Sequence, residues 1–281
     1  MAHGEWTGDP TYLLQVGPGF RLADVDPDST PGYTGGRAAA QKDLQRGVPE
    51  LAELQERLFA ASTREGIDRV LLVLQAQDTA GKGGILRHVV GAVDPQGVRL
   101  AAFKKPTPQE SEHDFLWRVS SRTPGPGIIG VFDRSHYEDV LIQRVRGMAP
   151  PEEIERRYGA IVEFEKGLAA IGTRIIKVML RISRDEQRKR LLERLDRPEK
   201  HWKFEVGDID ERERWDQYDE AYQIVFDRTS IPQAPWYVVP ANKKWYARLA
   251  VQRLLIDTLR RIDPQWPPAD FDVEEQRARL G

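Results

Sequence analysis

The chain reads as an α/β protein, a parallel sheet of about five strands wrapped by helices on both faces. Short, branched apolar runs recur along it, each stopped by small or polar residues. Between them lie stretches whose apolar residues fall three and four apart. No internal repeat and no long linker divides the pattern, so a single domain is expected over 37–262. An arm (1–36) precedes it and a Pro-rich tail (263–281) follows.

The arm carries many Gly, Pro and Asp without sustained periodicity. A helix is expected over 37–61, where Leu44, Val48, Leu51, Leu54 and Leu58 share a face. Gly47 and Pro49 should kink or split it. Val70–Gln75 reads as a first strand, followed by a loop and a helix to about Val93. Val98–Phe103 is a second strand, closed by Lys104-Lys105-Pro106. Helix 110–122, strand 127–132, and helices 135–146 and 152–171 come next. Strand 174–182, a basic helix over 184–195, a long polar helix over 208–229, strand 236–239 and helix 243–262 complete the order. Ligands of such sheets sit at the carboxyl ends of the strands. Asp78, Lys104, Asp133 and Arg184 should therefore surround one crevice.

The first of these ends is the most informative. Val70-Leu71-Leu72-Val73-Leu74 stops at Gln75-Ala76-Gln77-Asp78-Thr79-Ala80-Gly81-Lys82-Gly83-Gly84, and helical spacing resumes at Ile85. Strand, tight loop, helix is the layout in which backbone N–H groups of Ala80, Gly81, Lys82, Gly83 and Gly84 face a phosphate, with Lys82 as the point charge. The fit to G-x-x-x-x-G-K-[ST] is incomplete. Ala76 stands where the first glycine belongs, and Gly83 replaces the hydroxyl residue that would touch Mg²⁺. The plain alternative is a βα turn that needs Gly81 for a positive φ. Asp78 favours the phosphate reading, since a carboxylate beside polyphosphate calls for a metal between them.

Gly130-Val131-Phe132-Asp133-Arg134-Ser135-His136-Tyr137-Glu138 supplies a second strand end. Asp133 there suits a metal ligand and Arg134 a bidentate phosphate contact, against the alternative that Asp133 and Ser135 only cap a helix. His136 is read as a packing or surface residue. The third feature is cationic: Arg184, Arg188, Arg190 and Arg194, then Arg197, and Lys200 to Lys203 beyond the Asp196–Glu199 turn. Charge runs are usually solvated faces, and Glu186 and Glu193 dilute this one. A basic helix on a flexible turn also suits a lid (about 184–207) that excludes water from a transferring phosphoryl group. Lys104, Lys105, Arg118 and Arg122 could extend a positive lining.

Taken together, several stretches resemble the polyphosphate kinase 2 family over roughly 37–262. They are Gln75 to Gly84 as written above, Phe115-Leu116-Trp117-Arg118, Phe132-Asp133-Arg134-Ser135-His136-Tyr137-Glu138-Asp139-Val140-Leu141, Pro198-Glu199-Lys200-His201-Trp202-Lys203-Phe204, and Ala234-Pro235-Trp236-Tyr237-Val238-Val239-Pro240. The resemblance implies a P-loop kinase-like three-layer sandwich with a helical lid. It also implies Mg²⁺, with Mn²⁺ as an alternative, and phosphoryl transfer from inorganic polyphosphate to adenine nucleotides, with guanine nucleotides as further acceptors, in a homodimer or homotetramer. It places Asp78, Lys82, Asp133 and Arg134 in the catalytic centre, with Glu138 as a further acidic residue and Arg190, Arg194 and Lys203 as lid cations. The Phe132–Leu141 form looks most like the subgroup that accepts both AMP and ADP. The family's loop has Asp where this chain has Gly83, which bears on the number of metal ions.

Bulk properties fit this outline. Lys+Arg of 42 against Asp+Glu of 44 gives a net charge of −2, unlike a dedicated nucleic-acid binder. The absence of cysteine removes disulfides, thiolate metal sites and a thiol nucleophile. No apolar run approaches a membrane span and no signal-peptide pattern is present, so a cytoplasmic protein is expected. An ATP-dependent nucleotide kinase and a non-catalytic polyanion-binding module remain the alternatives.

Overall fold

Arg69–Ala76 (β1) is buried along nearly its whole length, which its run of Val and Leu requires. It lies between two parallel neighbours, so both of its edges are hydrogen-bonded, and helices cover both of its faces. The computed structural model describes residues 4–281; residues 1–3 of the expected arm lie outside the described residues. The other strands are Val98–Ala102 (β2), Ile129–Asp133 (β3), Thr173–Arg181 (β4) and Trp236–Pro240 (β5). All pair in parallel in the order β2-β3-β1-β4-β5.

Helices of seven or more residues are Arg37–Ser62 (α1), Lys82–His88 (α2), Pro151–Ala170 (α3), Arg184–Leu195 (α4), Gly207–Glu213 (α5), Trp215–Thr229 (α6), Lys244–Ile262 (α7) and Val273–Leu280 (α8). Alternate strand residues enter two cores. Val70, Leu72 and Leu74 face α1, α2 and α7. Leu71 and Val73 face α3 and α6. The result is the expected three-layer α/β sandwich.

Several expected helices differ. α1 runs unbroken through Pro49. Gly47 lets α7 approach so closely that a Cβ there would lie 2.6 Å from Gln252 Oε1. Gln252 Nε2 in turn donates to the Leu44 carbonyl, at 2.9 Å. This packing keeps the helix continuous past the missing N–H. The expected helix 110–122 is two single turns, Pro108–Ser111 and Trp117–Ser120, because Asp114 caps a new turn by accepting from Leu116 N. The expected helix 135–146 is a 3-10 turn, His136–Asp139, and a short helix, Ile142–Val145. Here His136 and Tyr137 must drop into the core to meet Glu165. The helix after β1 ends at His88 rather than Val93, and 208–229 breaks at Arg214, where Trp215 turns inward.

The arm is stitched to the β5 edge. Val16 N donates to Trp236 O and Val238 N to Leu14 O, both at 2.8 Å. Gln223 of α6 holds it by accepting from Leu22 N and donating to Phe20 O.

Candidate active site

The carboxyl ends of β1 and β3 lie side by side, with Leu74 opposite Asp133. This register places the β1–α2 loop against Asp133 and Arg134. Lys82 Nζ stands 3.8 Å from Asp133 Oδ1, and Arg134 Nη2 stands 3.1 Å from Asp78 Oδ1. Each cation of one loop is thus matched by a carboxylate of the other. Gly81 has φ +122°, as the turn demands, while Thr79 (φ +67°) and Arg134 (φ +62°) occupy the left-handed region without being glycine. Such backbone costs about 1–3 kcal/mol per residue and gathers where surrounding structure holds a site in shape.

Glu138 joins this group through Gln75. With the Gln75 amide turned so that both ends find partners, its nitrogen donates to Glu138 Oε1 at 3.0 Å and its oxygen accepts from Ser135 N at 3.2 Å. Burial pushes the Glu138 carboxyl above its ordinary range, with Arg134 and Lys82 pulling against that. Burial also works against the Arg134 charge, but Glu138, Asp78 and Asp133 outweigh it and keep the guanidinium protonated.

Asp78, Arg134 and Glu138, with Ala76, Gln77, Leu141 and Ile142, form one wall of a cavity of about 220 Å³. The other wall is Gln187 of α4, Asp208 and Glu211 of α5, and Trp215, Tyr218 and Tyr222 of α6. Burial raises the Asp208 carboxyl, and the charge of Asp78 raises it further. Tyr218 donates to Glu211 at 2.6 Å. None of this second wall was singled out from sequence, although Trp215, Tyr218 and Tyr222 sit three and four apart, an aromatic stripe on one helix face. The Thr79 hydroxyl, also missed, is buried beside Asp78 in the loop without a partner among the described residues.

A second, mainly basic cavity of about 410 Å³ lies among α1, α4 and the start of α7, lined by Arg37, Lys189, Lys243, Lys244, Trp245 and Arg248, with Glu186, Glu193 and Asn242 also on its walls. It adjoins the same loop, since the Arg248 guanidinium would lie 3.2 Å from a Cβ at Gly84. Burial lowers the pKa of Arg248 and neighbouring Arg37 and Arg87 lower it further. Burial and then Arg190 do the same to Lys244. Lys243-Lys244 and Arg248 were legible as a basic helix start but went unread.

Several expected site residues do other work. Arg118 is buried, donating to the Lys104 carbonyl at 2.8 Å and pairing with Asp139 at 3.5 Å, so it braces the fold instead of lining a phosphate path. Lys104 itself is exposed beyond β2. Arg190 is no free lid cation. Only 4% exposed, it donates to the carbonyls of Thr79, Ala80, Ala241 and Asn242 at 2.7–3.0 Å and to Glu186. Arg194 braces the covering segment through Lys203 O and Asp208, and Lys203 lies over the exposed Trp202 ring. Arg184 and Arg188 remain exposed on α4, and the missed Arg212 lies close enough for their charges to lower its pKa, after burial. Ala80 is buried, whereas Gly83 stands open at the start of α2. Of the two roles expected for His136, packing or surface, the structure shows packing: it is buried and 3.3 Å from Glu165.

The donor set suits a hard cation. It is all oxygen, and among the described residues no three His, Cys, Asp or Glu converge closely enough to hold an ion alone. Mg²⁺ is commonly held by one or two carboxylates, with water and substrate phosphates completing the shell.

The sequence model described as polyphosphate kinase 2 matches residues 36–267. The chain belongs to the polyphosphate kinase 2 family. A family relative from Meiothermus ruber, an AMP/ADP-polyphosphate phosphotransferase, is 48% identical over 264 residues, covering 94% of this chain and 97% of its own. An ADP-polyphosphate phosphotransferase from Rhodopseudomonas palustris is 42% identical over 236 residues, 80% of each chain. The crystal structure of polyphosphate kinase 2 from Arthrobacter aurescens TC1 superposes with a TM-score of 0.98 at 57% identity, covering 100% of this chain and 99% of that one. Among the described residues no helix is long and apolar enough to cross a membrane.

Proposed function

We propose that this polyphosphate kinase 2 family member transfers the terminal phosphoryl group of inorganic polyphosphate to AMP and ADP, reversibly and without a covalent enzyme intermediate. The observation that carries this reading is the position of the β1–α2 loop, with an aromatic and acidic cavity on one side and a basic cleft on the other. Polyphosphate, a repeating anion, is complementary to the cleft of Lys189, Lys243, Lys244 and Arg248. A nucleotide suits the first cavity, where Tyr218 and Tyr222 offer rings to a base and Arg134 a fork to its phosphate.

Transfer then occurs at the loop. Phosphoryl transfer asks a protein chiefly for alignment and for positive charge on the transferring oxygens. Lys82 and Arg134, held by Asp133 and Asp78, supply that charge where donor and acceptor meet. An acceptor phosphate oxygen is already ionised at neutral pH, so no strong base is required. Asp78 and Asp133 would hold Mg²⁺, or Mn²⁺ in its place, which when bound neutralises phosphate charge and orients both substrates. Guanine nucleotides as further acceptors, a homodimer or homotetramer and a cytoplasmic location belong to the same reading.

The test is nucleotide formation, followed by chromatography, from Mg²⁺, polyphosphate and either AMP or ADP. ADP and ATP from AMP are expected. Lys82→Ala and Asp133→Ala should each lower turnover by about a hundredfold or more while remaining folded. Near-normal turnover by either variant would remove that residue from the centre. Product from ATP and AMP but none from polyphosphate would overturn the donor and leave the fold in place.

A further inference from the structure

Asn242, at the turn between β5 and α7, is bonded on every side. Its backbone N–H donates to Pro27 O of the arm at 3.2 Å. Its Nδ2 donates to Asp28 Oδ2 at 3.0 Å and to Ser183 Oγ at 3.1 Å. Its Oδ1 accepts from Ser183 N at 2.9 Å. Its carbonyl accepts from Arg190 at 2.9 Å. Ser183 is the N-cap of α4, accepting from Glu186 N at 3.1 Å. Arg190 reaches on to Thr79 O and Ala80 O in the β1–α2 loop. A continuous chain of hydrogen bonds thus runs from Asp28 in the arm, through Asn242, to the first turn of α4 and to the loop that carries Lys82.

The chemistry of Asn242 is specific. The partner pattern needs an acceptor facing a backbone N–H and a donor facing a carboxylate from one short side chain. Asparagine meets both requirements. Aspartate at 242 would keep the acceptor and set a carboxylate against Asp28. The arm does not depend on this joint, because Val16, Leu14, Phe20 and Leu22 anchor it independently, and Tyr246 donates to Pro31 O at 2.8 Å. A fault at Asn242 should therefore disturb the joint and leave the fold.

We propose that Asn242 is a positioning residue that couples the N-terminal arm to α4 and to the β1–α2 loop, so that the arm takes part in setting the geometry of Lys82 and its neighbours for phosphoryl transfer. This rests on the transfer reading above only for its kinetic readout. Without the Asn242 side chain the bond that links Asp28 of the arm to Ser183 at the start of α4 is lost, and a displacement of about 1 Å at reacting groups can cost up to a hundredfold in rate.

The experiment compares full-length Asn242→Asp, Asp28→Asn and the double exchange. Asn242→Asp should lower kcat about tenfold with the nucleotide KM changed by no more than about twofold, at a folded fraction equal to wild type by circular dichroism, since partial unfolding alone would also lower apparent kcat at constant KM. Asp28→Asn should stay close to wild type, because its amide can turn an oxygen toward Asn242. The double exchange rebuilds the pair with donor and acceptor swapped and should recover most of kcat. Wild-type kcat in Asn242→Asp, or a double exchange no better than Asn242→Asp, overturns the coupling. Amide hydrogen exchange over 79–84 reads the same joint without turnover. It should accelerate in Asn242→Asp and revert in the double exchange, and unchanged exchange also overturns the proposal, even if wild type transfers no phosphate. Should Asn242→Asp fail to fold, Asp28→Ala removes an exposed acceptor and should raise exchange over 79–84 about threefold; no change there counts against the coupling equally.

Discussion

Glu138 shows at the residue scale how a site can oppose stability. Burial raises its carboxyl pKa in the folded protein above the ordinary value of 4.5. A group raised in this way contributes its stability below the unfolded value, and loses it as pH climbs through the folded one. At neutral pH the Glu138 carboxylate therefore costs stability, with Arg134 and Lys82 offsetting part of the cost. Glu138→Gln is expected to raise Tm at pH 8 by about 2 °C or more, with the difference disappearing below about pH 4.5. Turnover should fall at least about tenfold. A thermal scan across pH paired with the nucleotide assay checks both halves. Equal Tm at pH 8 would show that the carboxylate is solvated after all. Asp78, Lys82, Asp133 and Arg134 were legible as a group because each stands at a strand end, where side chains must leave the sheet. Arg118 and Arg190 misled for the converse reason: a guanidinium reads alike in sequence whether it will face solvent or a nest of carbonyls.

Elements were legible where one buried face dictates the period. The strands lie within a residue or two of their expected places, since the apolar runs of β1, β3 and β4 are buried on both faces, as the interior of a parallel sheet requires. Short elements around the site were not, because caps and single side chains decide them. Ser135 halts a regular helix so that Tyr137 can reach Glu165 and Lys177, and Thr107 and Glu110 close a capping box on a turn that ends at Ser111, before a second turn starts at Trp117. α4 owes its seat to Arg190. Arg190→Met would strand four carbonyls and is expected to lower unfolding free energy by on the order of 3 kcal/mol, read from denaturant midpoints. Arg190→Lys should fall between, as an ammonium cannot span the same fork. A methionine variant as stable as wild type would show that water satisfies those carbonyls.

Charge is distributed at the scale of the whole molecule in a way its sum conceals. A chain of net charge −2 gathers Arg37, Lys189, Lys243, Lys244 and Arg248 around one cleft. Polyphosphate affinity is therefore expected to fall with salt at a log–log slope of about −3, by counterion release as for single-stranded polyanions. Lys243→Ala should reduce that slope by about one. An apparent KM for polyphosphate that ignores ionic strength would contradict the cleft as the donor path. The arm belongs to this scale too, since it closes the β5 edge and reaches the site through Asn242.

The sequence by itself determined the α/β alternation, the loop with Lys82, the strand end with Asp133 and Arg134, and through these the family. All are local patterns, set by backbone geometry within a few residues. Tertiary structure alone decided which cations are free and which are spent, that α5 and α6 supply the second wall of the cavity, and that the arm, α4 and the Lys82 loop meet at one asparagine. Those outcomes depend on contacts between residues more than two hundred positions apart, where packing and hydrogen-bond satisfaction, not sequence spacing, choose the partner.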